Sequence, residues 1–267
     1  MSPFLKYGVR IERGFPGVDF FSKRSAVESQ YLDLYHTAKD TQLAIWANVR
    51  DHLESCGVET LDVPVEYISQ LACNIQISVK KSQPNWVHGF VLWALLSDII
   101  KRNGFTNWLE VGTAKGFSAA VLESAGRDSR CAGISIDVLP HEDRMVWNCR
   151  TDKYGPRSRR ELLEKEIDSM NVVFIQGYSK DVLKRLYAEN LGLIFLDGQH
   201  TYNAVKFEAD WASRVQVRGD WLVFDDCSEH RFPGVWKAVS EFRKEGKYDV
   251  NFLDLGEGRQ FAICRKR

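Results

Sequence analysis

The chain has 267 residues, and its 36 Lys and Arg balance its 36 Asp and Glu, so the formal net charge at pH 7 is zero. A protein that binds nucleic acid normally carries a basic excess, because its affinity comes from neutralising phosphates, so no nucleic-acid partner is expected. With 44% hydrophobic and 27% charged residues, the composition is that of a globular protein and excludes a chain that is disordered throughout.

No segment predicts insertion into a membrane. The longest apolar stretch, Val87–Ile100, is interrupted by polar residues and is too short to span a bilayer. The first fourteen residues include four charged side chains and lack the apolar run of a secretory signal. The cysteines are scattered, without a CxxC pair. We therefore expect reduced thiols, a cytoplasmic protein and no membrane partner.

The N-terminal part predicts helices. Apolar residues recur at helical spacing from Asp40, and Gly57 follows as a stop. A second helix opens at Pro64 and extends to Val79. A third runs from Pro84 to just before Gly104, with Pro in the first turn and Gly beyond the end. We expect an N-terminal helical extension over residues 1–83, rich enough in aromatic residues to form a homo-oligomer contact or to close an active site.

After Gly104 short apolar runs alternate with amphipathic segments, a pattern typical of βαβ units around a mostly parallel, buried sheet. A Gly- and charge-rich stretch, Asp254–Gln260, separates the last two runs and predicts a hairpin, so the final strand is expected to be antiparallel. An α/β domain is expected over residues 84–267. The predicted strands are Trp108–Val111, Ala132–Ile136, Val172–Ile175, Leu193–Leu196, Trp221–Phe224, Val250–Leu253 and Phe261–Cys264.

The loop after the first strand contains Gly112 and Gly116 but has Ala114 where a dinucleotide-binding GxGxxG loop has its middle glycine. Glu110 just before the loop would repel a pyrophosphate but suits a cationic ligand. S-adenosylmethionine (SAM) has a ribose, an adenine, an ammonium and a sulfonium, and no phosphate. Asp137 follows the second strand, 25 positions after Gly112, an offset suited to ribose hydroxyls. The alternative is that both acids merely lie at strand ends in solvent.

These motifs resemble those of class I SAM-dependent methyltransferases, over roughly residues 84–265. The resemblance implies a Rossmann-like seven-stranded sheet with an antiparallel last strand. It also implies that Glu110 and Gly112 lie beside the methionine part of SAM, and Asp137 on the ribose. Tyr178 and Ser179 would then lie near the adenine. The full set of expected cofactor-binding residues is Glu110, Gly112, Thr113, Gly116, Ser118, Asp137, Tyr178 and Ser179.

Acidic residues follow the fourth and fifth predicted strands, where ligands bind in a parallel sheet. Asp197 ends the fourth strand, and Asp225 and Asp226 end the fifth. Three converging carboxylates suit a hard cation such as Mg²⁺. The spacing is similar to that of metal-dependent O-methyltransferases of the catechol and macrolide-sugar kinds, with Asp226 where Asn is common in the former.

The stretch that begins at Asp197 reads Asp-Gly-Gln-His-Thr-Tyr, and it resembles methyltransferases whose acceptors are often sugars or other natural products. That resemblance implies that His200, three residues after the metal-binding aspartate, is the general base. Gln199 stands where the nearer relatives often have an acid, which leaves the acceptor open. The predicted function is Mg²⁺-assisted methylation of a small-molecule hydroxyl, with Asp197 and His200 as catalytic residues and SAM as methyl donor.

Several alternatives remain open at this stage. Asp197 would instead cap the helix that starts near Thr201, Asp225 and Asp226 would be solvated loop carboxylates, or His200 would be a structural histidine. Two further alternatives are a metal-independent N- or O-methyltransferase that uses His200 alone and a non-catalytic SAM-binding protein. An NAD-dependent oxidoreductase is disfavoured by Ala114. The connection between the second and third strands, with Arg159 and Arg160, is either a lid over the acceptor or a helix with a solvated basic start.

Overall fold

A computed structural model describes residues 20–77, 84–149, 152, 154–163, 171–256 and 258–267, without the side chains of residues 20–28. Its centre is a seven-stranded sheet in the order β3-β2-β1-β4-β5-β7-β6. The strands are β1 (Asn107–Val111), β2 (Gly133–Asp137), β3 (Val172–Gln176), β4 (Leu191–Leu196), β5 (Trp221–Phe224), β6 (Tyr248–Asp254) and β7 (Gln260–Lys266).

The sheet is parallel from β3 to β5, and β7 inserts antiparallel between β5 and β6. All seven strands coincide with predicted ones to within a few residues at each end. The predicted hairpin and the antiparallel last strand are both confirmed. Strands β1, β4 and β5 are almost wholly buried, since helices cover both faces of the sheet. The carboxyl ends of these three strands therefore meet at one edge.

The helices surround this sheet and differ from prediction mainly near the N-terminus. The first helix begins at Phe20, twenty residues before Asp40, where its helical spacing becomes clear in the sequence. The second ends in a π-helical turn, Ala72–Gln76, and Val79 lies outside the described residues. The third ends as predicted before Gly104, which has φ 75°. The helices are α1 (Phe20–Ser55), α2 (Val65–Leu71), α3 (Val87–Asn103), α4 (Phe117–Gly126), α5 (Arg159–Leu163), α6 (Ser179–Leu183), α7 (Tyr202–Val215) and α8 (Pro233–Lys244).

Two hydrophobic cores lie on opposite faces of the sheet, because successive strand side chains point to opposite sides. Helices α1 to α4 pack on one face, and α7 and α8 on the other. Helix α1 joins the first core through Trp46, whose ring lies 5.3 Å from that of Phe90 on α3. The predicted boundary between the N-terminal extension and the α/β domain follows residue 83. Residues 78–83 are not among those that the structure describes, so this boundary stays a prediction. Within the described ranges, no helix is both long and apolar enough to cross a membrane.

Candidate active site

The loop after β1 is shaped by close contact with the end of β4. Gly112 has φ 99°, and a Cβ placed on it would lie 1.9 Å from the backbone oxygen of Asp197. The amide of Asp197 also donates to the carbonyl of Val111. Glycine is therefore required at 112 by the neighbouring backbone. This contact brings the predicted cofactor loop directly beside the first residue of the predicted metal site.

Glu110 is fully buried under this loop. Its carboxylate accepts hydrogen bonds from the hydroxyls of Ser118 and Ser135, the latter at 2.5 Å, and Thr113 bonds Ser135 in turn at 2.6 Å. Burial raises the pKa of Glu110 to about 7, although the two serine hydroxyls counteract the shift. Of the expected donor-site residues, Glu110, Thr113 and Ser118 thus form one hydrogen-bonded group. The alternative that Glu110 lies in solvent is wrong.

Asp137, at the end of β2, faces the same loop. One carboxylate oxygen accepts from the amide of Leu139 at 2.8 Å, and the other from the amide of Ala114 at 2.6 Å. The second oxygen also accepts from Arg159 at 3.2 Å. The side chain of Asp137 is 9% exposed, so the solvated alternative is wrong here as well. The loop and Asp137 are joined through Ala114, which has φ 44°.

Arg159 is a site residue whose role the sequence left open. Its side chain is 2% exposed, whereas that of the neighbouring Arg160 is 69% exposed. The solvated interpretation therefore holds for Arg160 and is wrong for Arg159. The sequence shows two adjacent arginines at the start of α5, and no local signal separates the buried one from the exposed one.

The two residues expected near an adenine lie at the end of β3. Tyr178 is 67% exposed. The Ser179 hydroxyl donates to the carboxylate of Glu208 at 2.5 Å. Burial raises the pKa of Glu208, on the inner face of α7, to about 7. Contact of Tyr178 and Ser179 with adenine stays a prediction.

At the edge formed by β4 and β5, two of the three predicted metal ligands lie next to the predicted base. The Nε2 atom of His200 is 3.3 Å from a carboxylate oxygen of Asp197 and 3.6 Å from one of Asp226. One ligand atom from each of these three residues lies within 4.8 Å of the other two. No side chain caps the start of α7, so the alternative role of Asp197 as a helix cap is wrong.

Asp225 is arranged differently. It is buried, and one of its oxygens accepts from Arg259 at 2.8 Å while the other accepts from the amide of Asp226 at 2.5 Å. Arg259 also lies 3.7 Å from Asp226. The predicted metal ligands are Asp197, Asp225 and Asp226. The three described residues whose ligand atoms lie close enough to share a metal are Asp197, Asp226 and His200. Sequence reasoning missed Arg259, because the β6–β7 turn that carries it is distant in sequence from both strand ends.

Asp197, His200 and Asp226, here called the acidic group, have shifted pKa values because they are partly buried and close to one another. Partial burial and the charge of Asp225 raise the pKa values of Asp197 and Asp226 above their ordinary value. Burial lowers the pKa of His200, but the hydrogen bond to Asp197 and the surrounding carboxylates outweigh it and raise the pKa above its usual value. Pairs of titratable groups with shifted pKa values are typical of catalytic sites.

The sequence comparison covers the region that contains this site. Residues 109–227, a little under half of the chain, match the family described as a methyltransferase domain. Residues 109–227 are therefore similar to a methyltransferase domain, and this match bears out the predicted methyltransferase class. A curated relative, an uncharacterized protein of Acanthamoeba polyphaga mimivirus, is 25% identical over 57% of this chain and 67% of its own length.

Solved structures confirm the fold. The O-methyltransferase from Bacillus cereus in complex with SAH is 17% identical, covers 83% of this chain and 98% of its own, and has a TM-score of 0.53. The SAH-bound methyltransferase from Podospora anserina is 15% identical, covers 96% of this chain and 100% of its own, and has a TM-score of 0.51. The predicted Rossmann-like fold of this methyltransferase, with its N-terminal helix, is therefore confirmed.

Proposed function

We propose that this methyltransferase transfers the methyl group of SAM to a hydroxyl of a small molecule, such as a sugar or another polyhydroxylated natural product. The observation that carries the proposal is the convergence of Asp197, His200 and Asp226 at the sheet edge, directly beside the Gly112 loop. A group able to take a proton thus adjoins the proposed donor site. This arrangement suits a hydroxyl, which must lose its proton during attack on the methyl carbon.

The donor is proposed to lie across the carboxyl ends of β1 and β2. Glu110 would face its ammonium, because an ionised carboxylate under the loop is favoured by a cation. Asp137 would bind the ribose. Three of about four acceptor positions on the Asp137 carboxylate are used within the protein, which leaves one for a ribose hydroxyl.

A divalent cation fits the residues at the acceptor end. Two partly exposed carboxylates, Asp197 and Asp226, offer oxygen ligands that lie within 4.8 Å of each other. Mg²⁺ takes one or two carboxylates and keeps positions for water or a substrate oxygen. When bound, such an ion lowers the pKa of a coordinated hydroxyl.

His200 would act as the general base. With Nε2–H directed to Asp197 at 3.3 Å, His200 would accept the hydroxyl proton on its other ring nitrogen, Nδ1, and Asp197 would stabilise the imidazolium that forms. The ring of Phe232 packs against the imidazole at 4.7 Å and restricts its orientation. The substrate oxygen then attacks the methyl carbon opposite the departing sulfur.

A metal-independent methyltransferase is the second candidate, and one observation favours it. Arg259 already places a fixed positive charge against Asp225 and Asp226. In this alternative His200 alone would activate the acceptor.

Calorimetric titration of Mg²⁺ into wild type and into the Asp197→Asn and His200→Ala variants tests the proposal. If His200 is the base, His200→Ala retains Mg²⁺ affinity but loses about 100-fold or more in turnover, whereas Asp197→Asn loses both. A parallel loss of Mg²⁺ binding in His200→Ala would make His200 a ligand. Full turnover of wild type in excess chelator would remove the metal from the mechanism.

A further inference from the structure

Arg159 is unusual because it is a charged residue that is almost fully buried and lies away from Asp197, His200 and Asp226. It belongs to α5, in the connection between β2 and β3, yet its guanidinium is buried against the loop that follows β1. Nε donates to the carbonyl of Ala114 at 2.8 Å, and Nη2 donates to Asp137 at 3.2 Å. The guanidinium also lies over the ring of Trp147, 5.7 Å from its centre.

These contacts close a ring of three hydrogen bonds. The Ala114 amide donates to Asp137, Arg159 donates to the Ala114 carbonyl, and Arg159 donates to Asp137. Ala114 has φ 44°, a left-handed conformation that a residue with a Cβ adopts only when its surroundings hold it there. The amide and the carbonyl of Ala114 both form hydrogen bonds in this ring, and these bonds hold its conformation.

We propose that Arg159 is a positioning residue for the methyl donor. It fixes the Asp137 carboxylate and the Ala114 turn in the orientation that donor binding requires, and it links docking of α5 to occupancy of the donor site. The inference rests on the proposed placement of the donor at Glu110 and Asp137. Arginine is needed because two nitrogens of one planar group reach two acceptors, which the single ammonium of lysine does not reproduce.

The test measures SAH affinity and donor kinetics in Arg159→Met and Arg159→Lys. Loss of two charge-assisted hydrogen bonds is expected to raise the SAH dissociation constant and the KM for SAM about tenfold or more in Arg159→Met. The expected change in kcat is less than about threefold, because Arg159 does not reach the acceptor end. The SAH dissociation constant and the KM for SAM of Arg159→Lys should lie between those of Arg159→Met and those of wild type.

Arg160→Met is the matched control. This adjacent arginine is exposed, and its guanidinium forms an exposed ion pair with Glu142 at 3.8 Å. It should bind SAH like wild type. A purely structural role of Arg159 would lower thermal stability while the folded protein kept wild-type SAH affinity, and that result would overturn the inference.

A measurement on wild type alone guards against variants that do not fold. Hydrogen exchange of residues 154–163 should slow when SAH is added, if α5 docking and donor binding are linked. Unchanged exchange in this segment at saturating SAH would overturn the inference. Absence of SAH binding to wild type would instead refute the proposed donor site itself, so the two failures are distinguishable.

Discussion

Glu110 and Asp225 are both buried carboxylates near the candidate site, but their charges are compensated in different ways. Serine hydroxyls bond Glu110, and its pKa is raised by burial, so it gains a proton near neutral pH. Asp225 instead pairs with the fixed charge of Arg259. Burial thus acts on Glu110 without an ionic partner among the described residues, whereas Asp225 has a guanidinium 2.8 Å away.

The raised pKa of Glu110 makes stability depend on pH. Its value of about 7 in the folded protein lies above the ordinary 4.5, so the native state binds the extra proton between these values. The free energy of unfolding should therefore fall as pH rises from 4.5 to 7, by up to about 3 kcal/mol from this residue. Urea unfolding of Glu110→Gln across this range should show a correspondingly flatter dependence.

Glu123→Gln is the comparison variant, because Glu123 is buried on α4 but paired with Arg127. It should retain the wild-type pH dependence. An unchanged slope in Glu110→Gln would show that Glu110 does not bind the proton.

Removal of the Arg259 charge should destabilise the protein in a way that a cation reverses. Arg259→Gln leaves the buried carboxylate of Asp225 without its partner, a change that costs about 3–5 kcal/mol. The same change makes the acidic group more negative, so added Mg²⁺ should restore part of the loss. Unfolding in chelator and in Mg²⁺ measures both effects. Arg267→Gln, which breaks an exposed pair with Asp249, should cost less than about 1 kcal/mol.

At the level of elements, the site depends on how closely the β1 and β4 ends approach each other. The Gly112 turn and the Asp197 backbone are in direct contact, and their strands are hydrogen-bonded neighbours in the sheet. If the proposed donor and acceptor sites lie on these adjacent strands, the two reactants are held together without a long linker, and such orientation supplies about 7–11 kcal/mol of barrier reduction in favourable cases.

Gly112→Ala should disrupt this junction. A methyl group at 112 would overlap the Asp197 backbone oxygen, and φ 99° is unfavourable for alanine, so the two loops must separate. We expect a large loss of SAH affinity together with reduced stability, measured by calorimetry and thermal unfolding. Gly57→Ala is the control, because Gly57 has φ 79° but no atom within 4 Å of an added Cβ. Equal effects of the two substitutions would contradict the contact argument.

At the level of the whole molecule, the N-terminal helix is part of the core on one face of the sheet. The ring of Tyr35 stacks on that of Trp86 at 5.7 Å. Gln42 donates to the carbonyl of Pro84 and accepts from the amide of Trp86. These contacts join α1 to the start of α3 on both sides of the expected boundary at residue 83.

Trp46→Ala tests whether α1 unfolds with the rest of the molecule. Loss of this buried ring against Phe90 should cost about 3–5 kcal/mol and lower the midpoint of a single transition. Two separate transitions, with only the first one shifted, would show that residues 1–83 form an independent unit. Leu61→Ala, at a position that is 84% exposed, should change little.

The sequence by itself determined the strands and the antiparallel last strand, because apolar runs and glycine turns are local signals, and the resemblance of its motifs to a known family predicted the enzyme class. It also located Asp197 and Asp226 at neighbouring strand ends, since parallel strands bring their carboxyl ends to one edge. Only the tertiary structure decided that Arg159 is buried while Arg160 is exposed, and that Arg259 takes Asp225 out of the group around His200. Those outcomes depend on which side chains meet across turns distant in sequence, and neither periodicity nor spacing encodes that.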